Sequence, residues 1–182
     1  MKNNVRKPMD VSKLTRIALI AGIYATLSLP FADLSFKAFQ VRFPEALALL
    51  PIFDASAVPG LAFGCVIANI YGYTTGRAPA IDIVVGSLTT LLCAALTRKF
   101  RNITFKDWPL LSALPPIILN AIIIGIELSI TDFGFHFLGA VWLKNILSVG
   151  FGQIIAVFLI GLPLSKLFGA TIYRHQRHDY EI

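Results

Sequence analysis

The sequence predicts an all-α integral membrane protein, a single domain over residues 1–182 built as a bundle of six transmembrane helices with both termini in the cytoplasm. Three observations predict it. The first is composition: 56% of the 182 residues are hydrophobic and only 14% charged, against about 25% charged in an ordinary soluble domain, and the mean hydropathy is +0.73. The second is a series of apolar stretches, Leu14–Leu29, Ala55–Tyr71, Ile81–Thr97, Trp108–Ile130 and Trp142–Phe168, each approaching or exceeding the roughly 20 residues that a helix needs to cross hydrocarbon. They lack the alternation of barrel strands, so the helix is the form that satisfies their backbone in a bilayer.

The third observation is where the cations lie. Lys2, Arg6, Lys7, Lys13 and Arg16 open the chain, Arg98, Lys99, Arg101 and Lys106 form one loop, and Lys166, Arg174 and Arg177 close it; only Lys37, Arg42, Arg77 and Lys144 lie elsewhere. By the positive-inside rule this places both ends and the loop around Arg101 in the cytoplasm. The basic N-terminus (1–13) and the tail (171–182) therefore orient a multi-pass protein of the cell membrane, and the net charge of +6 is no sign of nucleic-acid binding.

Taken in order, the first apolar run follows a long basic segment and is not ended by a small-residue cleavage site, so it is read as a permanent helix rather than a signal peptide. It leaves the cytoplasm and ends outside near Pro30. The run from Ile81 must point inward because the basic loop follows it, so the run from Ala55 points outward. The chain must then recross between Phe31 and Phe53. Only "FPEALALLPIF" within that interval is apolar enough, and it is short and flanked by prolines. Short or broken membrane helices are tolerated where they face protein or a water-filled cavity. Pro44 suits the first helical position and Glu45 then falls near the positive end of the helix dipole.

With this topology, polar residues gather in the outer half. Arg42 and Glu45 start the second crossing, Asn69 ends the third, Asp82 opens the fourth, Glu127 and Ser129 close the fifth, and Asn145 and Gln153 occupy the outer part of the sixth. Ionisable groups in hydrocarbon face the bundle interior and a partner, so a one-sided cluster predicts a pocket open to the exterior rather than a channel lined along its length. A purely structural pair of Arg42 with Glu45 is one expectation, beside a ligand-binding role for both, and Asp82 and Asp54 are candidate helix caps. Phe36, Phe39 and Trp142 are expected to cover a ligand, with the aromatic loop before Arg42 as a lid. His136, His175 and His178 have the setting of interfacial or tail residues, and Cys65 and Cys93 that of buried thiols without metal-site spacing. No metal and no cofactor are expected.

On the first helix "IALIAGIYATL" sets Ala18 with Gly22, and Ala21 with Ala25, four apart; such faces pack closely on another helix, in the same chain or a partner. No G-x-x-x-x-G-K-[ST] loop is present for nucleotide hydrolysis, and no H-E-x-x-H or Ser and His pair lies within the helices. An intramembrane enzyme is therefore disfavoured. A self-sufficient carrier or channel remains the rival reading to a binding protein that borrows its energy from a partner.

The stretches "VRFPEALALLPIFDASAVPGLAFGCVIANIYG", "DIVVGSLTTLLCAALTRKFR" and "GFGQIIAVFLIGLPL" resemble the QueT family of substrate-binding membrane subunits, the S components of energy-coupling factor (ECF) transporters. The resemblance implies a six-helix, non-enzymatic subunit of an ABC-type importer that captures a micronutrient from outside. It would work with a membrane scaffold subunit and two cytosolic ATPases, docking on the scaffold through Ala21 and Ala25. It implies a queuosine precursor as ligand. Gln153 stands where a glutamate is usual in such proteins, and cobalamin, whose amide rim suits glutamine and asparagine, is the other ligand. The ligand contacts would be Arg42, Glu45, Asn69, Asp82, Glu127, Asn145 and Gln153.

Overall fold

The computed structural model describes residues 10–30, 42–106, 108–134 and 139–169. Among them the chain is helical throughout, apart from an isolated bridge between Phe105 and Trp108. In order come α1 (Val11–Ser28), a 3₁₀ helix η1 (Phe43–Ile52), α2 (Ala57–Thr74), α3 (Asp82–Lys99), α4 (Leu110–Phe133) and α5 (Gly139–Gly169), the last carrying a π-helical run over Ile155–Gly161. By length and composition α2, α4 and α5 can each cross a membrane. Helices α1 and α3 have 18 residues each, about 27 Å at ~1.5 Å per residue. Their terminal charges, Lys13 and Arg16 in one and Asp82, Arg98 and Lys99 in the other, make them less apolar.

Helix η1 occupies the segment expected from the sequence to be the second crossing, and it is not an α-helix. Its ten residues would rise about 15 Å as an α-helix and rise about 20 Å as a 3₁₀ helix. The tighter winding thus recovers length for a segment too short to span alone. Pro44 occupies the first turn, one residue further in than the sequence suggests, and Pro51 lies inside the helix. Such backbone survives in a bilayer only where protein surrounds it, and η1 is surrounded: it packs against every other helix. Leu47 joins a core cluster with Tyr24, Leu61, Cys65, Ala68 and Ala94. Ala48 and Leu49 join another with Ala113, Ile117, Val157 and Leu162. The 3₁₀ helix is the wall shared by the two cores.

Both ends of η1 are tied by side chains. At the inner end Arg98 of α3 donates to the Pro51 carbonyl at 2.9 Å, capping carbonyls that the helix leaves open. Asp54, just beyond, accepts from the Ser56 amide at 2.8 Å and lies 3.6 Å from Arg16 of α1. Asp54 therefore organises the turn into α2, as expected of a cap, and also pairs with α1. At the outer end Tyr24 and Asp82 hold Glu45 and Arg42, as described below.

Helix α4 contains Pro115 and Pro116, which leave the carbonyls one turn earlier without their helical donors. The Thr97 hydroxyl donates to the Ser112 carbonyl at 2.9 Å, filling the position that Pro116 vacates. The Thr97 hydroxyl and the Ser112 backbone thus serve the helix–helix contact.

Helices α1 and α2 lie close and run parallel. A Cβ on Gly60 would fall 2.9 Å from Ile20 Cβ, and one on Gly64 would fall 2.6 Å from Tyr24 Cβ and 3.0 Å from the Ala21 carbonyl oxygen. Gly22, on the other side of α1, has nothing within 4 Å of the same position. Overpacking a tight contact costs about 1–3 kcal/mol. Gly64→Leu is therefore expected to lower the apparent melting temperature in detergent, whereas Gly22→Ala leaves it unchanged; equal effects of the two would contradict this packing.

Candidate functional site

The end of the bundle at which η1 begins, the outer end in the orientation expected from the sequence, gathers charged and amide side chains from five helices. Arg42, at the entrance to η1, donates to the carboxylate of Asp82 at 2.9 Å, and both are almost completely buried. Glu45, one turn into η1, accepts the Tyr24 hydroxyl at 2.7 Å and is only 2% exposed. The ion pair expected between Arg42 and Glu45 is therefore replaced: Asp82 takes the guanidinium and a tyrosine takes Glu45. Asp82 is not a simple cap. It is the first residue of α3, it pairs across to η1, and its backbone carbonyl accepts from the Asn69 amide at 2.7 Å. Gly86 keeps this corner open, since a Cβ there would fall 2.8 Å from the Asn69 side-chain nitrogen.

Register places Glu127 in the same layer. Thr97 meets the Ser112 carbonyl and Cys93 the Pro115 carbonyl, and continuing this antiparallel register sets Asp82 opposite Glu127. Glu127 is 5% exposed, and neither of its oxygens finds a donor among the described residues. Between α4 and α5, Gly125 lies against Ile146 and Gly150 against Ala121, which sets Glu127 opposite Lys144. Asn145 alongside donates to the Ser129 hydroxyl at 3.1 Å.

Gln153 is buried too, but the same register sets it opposite Ile118, about 13 Å deeper than Glu127 at ~1.5 Å per residue. It occupies the middle of the 31-residue α5 rather than its outer half. Its side-chain oxygen finds no donor among the described residues, nor do the Asp82 Oδ1 and Ser87 Oγ atoms. Trp142 is half-buried in the first turn of α5. Phe36 and Phe39, and the lid they belong to, lie outside the described residues, as do His136, His175 and His178.

Ala21 and Ala25 are 5% and 9% exposed and face α2, the intrachain alternative for this small-residue pattern. Ala18 and Gly22, the other pair, remain on the outer surface of α1. Tyr24 and Ser87 are the site residues that sequence reasoning missed. Tyr24 lies between Ala21 and Ala25 on the buried face, so its polar tip needed a buried partner; that was the available signal.

Chemically the layer is rich in acceptors. Arg42 balances Asp82, the Asn69 and Asn145 amides are already donating within the protein, and the oxygens of Glu127, Ser87, Gln153 and one of Asp82 remain unmatched. Buried acceptors without donors are expensive. The set suits a compact ligand that brings N–H groups and positive charge.

A family model described as "QueT transporter" matches residues 14–169, which takes in α1 to α5 and every site residue above. No curated protein and no solved structure matches the chain.

Breaking a buried ion pair on one side strands the other charge at a cost of about 3–5 kcal/mol, whereas removing both partners is far milder. Asp82→Leu and Arg42→Met are each expected to destabilise the protein strongly in detergent, and the double variant to recover much of the loss. Additive single effects would show that the pair is not coupled.

Proposed function

The chain belongs to the QueT transporter family, and from that premise we propose that it is the S component of an ECF-type importer, capturing a queuosine precursor of the aminomethyl deazaguanine type from outside the cell. The coarser part of this reading, a membrane transport protein that binds a small molecule, follows from the family itself. The finer part is supported by one observation above all: both oxygens of the buried Glu127 carboxylate find no donor among the described residues, in the layer where Arg42 pairs with Asp82.

A carboxylate with two open oxygens accepts two parallel N–H donors, the pattern presented by the amino-pyrimidinone edge of a deazaguanine. The remaining acceptors of the layer, Asp82 Oδ1 and Ser87, would take the ligand's ammonium and ring N–H groups, while Trp142 would pack on its face. Glu45, held by Tyr24, contributes negative potential that favours a cation. Cobalamin fits this layer less well, because its peripheral amides are neutral and bring no cation to the Glu127 carboxylate.

Energy would come from a scaffold subunit and two cytosolic ATPases. With Ala21 and Ala25 turned inward, the face of α1 that could meet a scaffold is the one carrying Ala18 and Gly22, which admits close helix approach.

Titration of the purified protein with 7-aminomethyl-7-deazaguanine should show binding at micromolar concentration or below. Glu127→Gln, which exchanges one acceptor for a donor, should weaken it at least about tenfold, or ~1.4 kcal/mol; cobalamin should not compete. Binding that survives Glu127→Gln unchanged would remove that residue from the site. In liposomes the chain alone should not move the ligand, and it should do so once the scaffold, ATPases and ATP are supplied. Unaided uptake would instead favour the self-sufficient carrier.

A further inference from the structure

At the opposite end of the bundle lies a feature that ligand capture does not use. Phe105 and Lys106 of the loop between α3 and α4, Trp108 after it, and Phe158, Leu162 and Pro163 of α5 enclose an apolar groove of about 380 Å³, within the roughly 300–1,000 Å³ usual for small-molecule sites. Its walls are aromatic and aliphatic along one side of the π-helical run. Its mouth is cationic. Lys106 Nζ lies 5.7 Å from the centre of the Phe105 ring, and Lys166 Nζ lies 3.5 Å from the centre of the Trp108 ring.

The position of Lys106 is imposed by the backbone. Phe105 and Trp108 exchange both amide-to-carbonyl hydrogen bonds, at 2.9 and 3.0 Å, closing a two-residue turn. Lys106 adopts φ +48° within it, a left-handed conformation that disfavours side chains bearing a Cβ and that usually selects glycine or asparagine. Lys106, though exposed, lines the groove. Arg98, Lys99 and Arg101 precede it, and in sequence Asp107 is the single carboxylate between Arg98 and Trp108.

We propose that this groove binds one anionic phospholipid of the cytoplasmic leaflet, with an acyl chain along Trp108, Phe158 and Leu162 and the phosphate between Lys106 and Lys166. An apolar trough continuous with a pair of cations matches an amphiphile with a negative head, and basic pockets between helices on the cytoplasmic side are known to take such headgroups. Free phosphate lacks the chain that the trough accommodates. The leaflet assignment rests on the orientation proposed above; lipid selection itself does not, so it can be tested independently of ligand capture.

The purified chain, equilibrated in micelles containing equal amounts of phosphatidylglycerol and phosphatidylcholine, is examined by native mass spectrometry. It should retain phosphatidylglycerol preferentially, and inorganic phosphate should not displace it. Lys106→Gln with Lys166→Gln should abolish the preference, a fall of about tenfold or more for two lysines near an anionic head. Lys99→Gln with Arg101→Gln, the same charge change on exposed residues away from the groove, should leave it intact. Equal retention of the two lipids by the wild type overturns the proposal, as does equal loss in both double variants, which would mean diffuse attraction to a basic surface. A groove double variant that keeps its lipid preference but no longer associates with a scaffold subunit would assign the groove to a protein partner, and overturns it too.

Discussion

The contact between Arg42 and Asp82 fixes the geometry on which the rest of this bundle depends. Helix η1 is too short to be an independent crossing and too irregular to face lipid, so it must be held within protein at a definite depth. The ion pair sets that depth from the outer end, with Tyr24 on Glu45 one turn below; Arg98 on the Pro51 carbonyl sets it from the inner end. Between these anchors Leu47 faces one apolar cluster, and Ala48 and Leu49 the other. A pair buried this deeply gives little net stability over a well-packed apolar substitute. What it supplies is register, since each charge is tolerable only where the other stands.

The same pairing determines what remains for a ligand. Arg42 Nη2 donates to Asp82, and the asparagine side chains donate to the Asp82 carbonyl and to Ser129, while neither oxygen of Glu127 finds a donor among the described residues. In a low-dielectric interior such an imbalance is large, and it selects for charge and N–H groups before shape is considered. Gln153 extends the set of acceptors inward, so the arrangement has depth as well as a rim. Irregular backbone lies next to it: the 3₁₀ helix packs directly on the π-helical run of α5, where Gly161 admits the Ala46 carbonyl. Helix irregularities of this kind recur at functional positions in membrane and soluble proteins alike.

Much of this was legible in the sequence. The α-helices begin and end within a few residues of the apolar runs, because hydrocarbon leaves a chain few options. The proline-flanked segment after Arg42 was identifiable as an irregular helix held within the bundle, although its 3₁₀ winding was not, since that depends on neighbours on every side. The choice of partners was illegible. Nothing in the string "VRFPE" says that Arg42 reaches Asp82 while Glu45 turns to Tyr24; that follows from how α1, η1 and α3 meet in space. Depth along α5 was misjudged for Gln153 for a related reason, because register is set by Gly125 and Gly150 against Ile146 and Ala121. The small-residue pattern of α1 was correctly seen as a packing face, and which of its two pairs turned inward was decided by Gly60 and Gly64 of α2.

The central claim is that the buried acceptor layer opens toward the exterior. Replacing Cys65 and Cys93 by alanine and introducing Ser129→Cys, beside Glu127 and outside the set assigned to the ligand, gives a single reporter in that layer, to be probed with a small membrane-impermeant thiol reagent in vesicles of known orientation. The account predicts modification from the extracellular side, slowed when an aminomethyl deazaguanine is present. Modification from the cytoplasmic side alone, or at a rate indifferent to that compound, would contradict it.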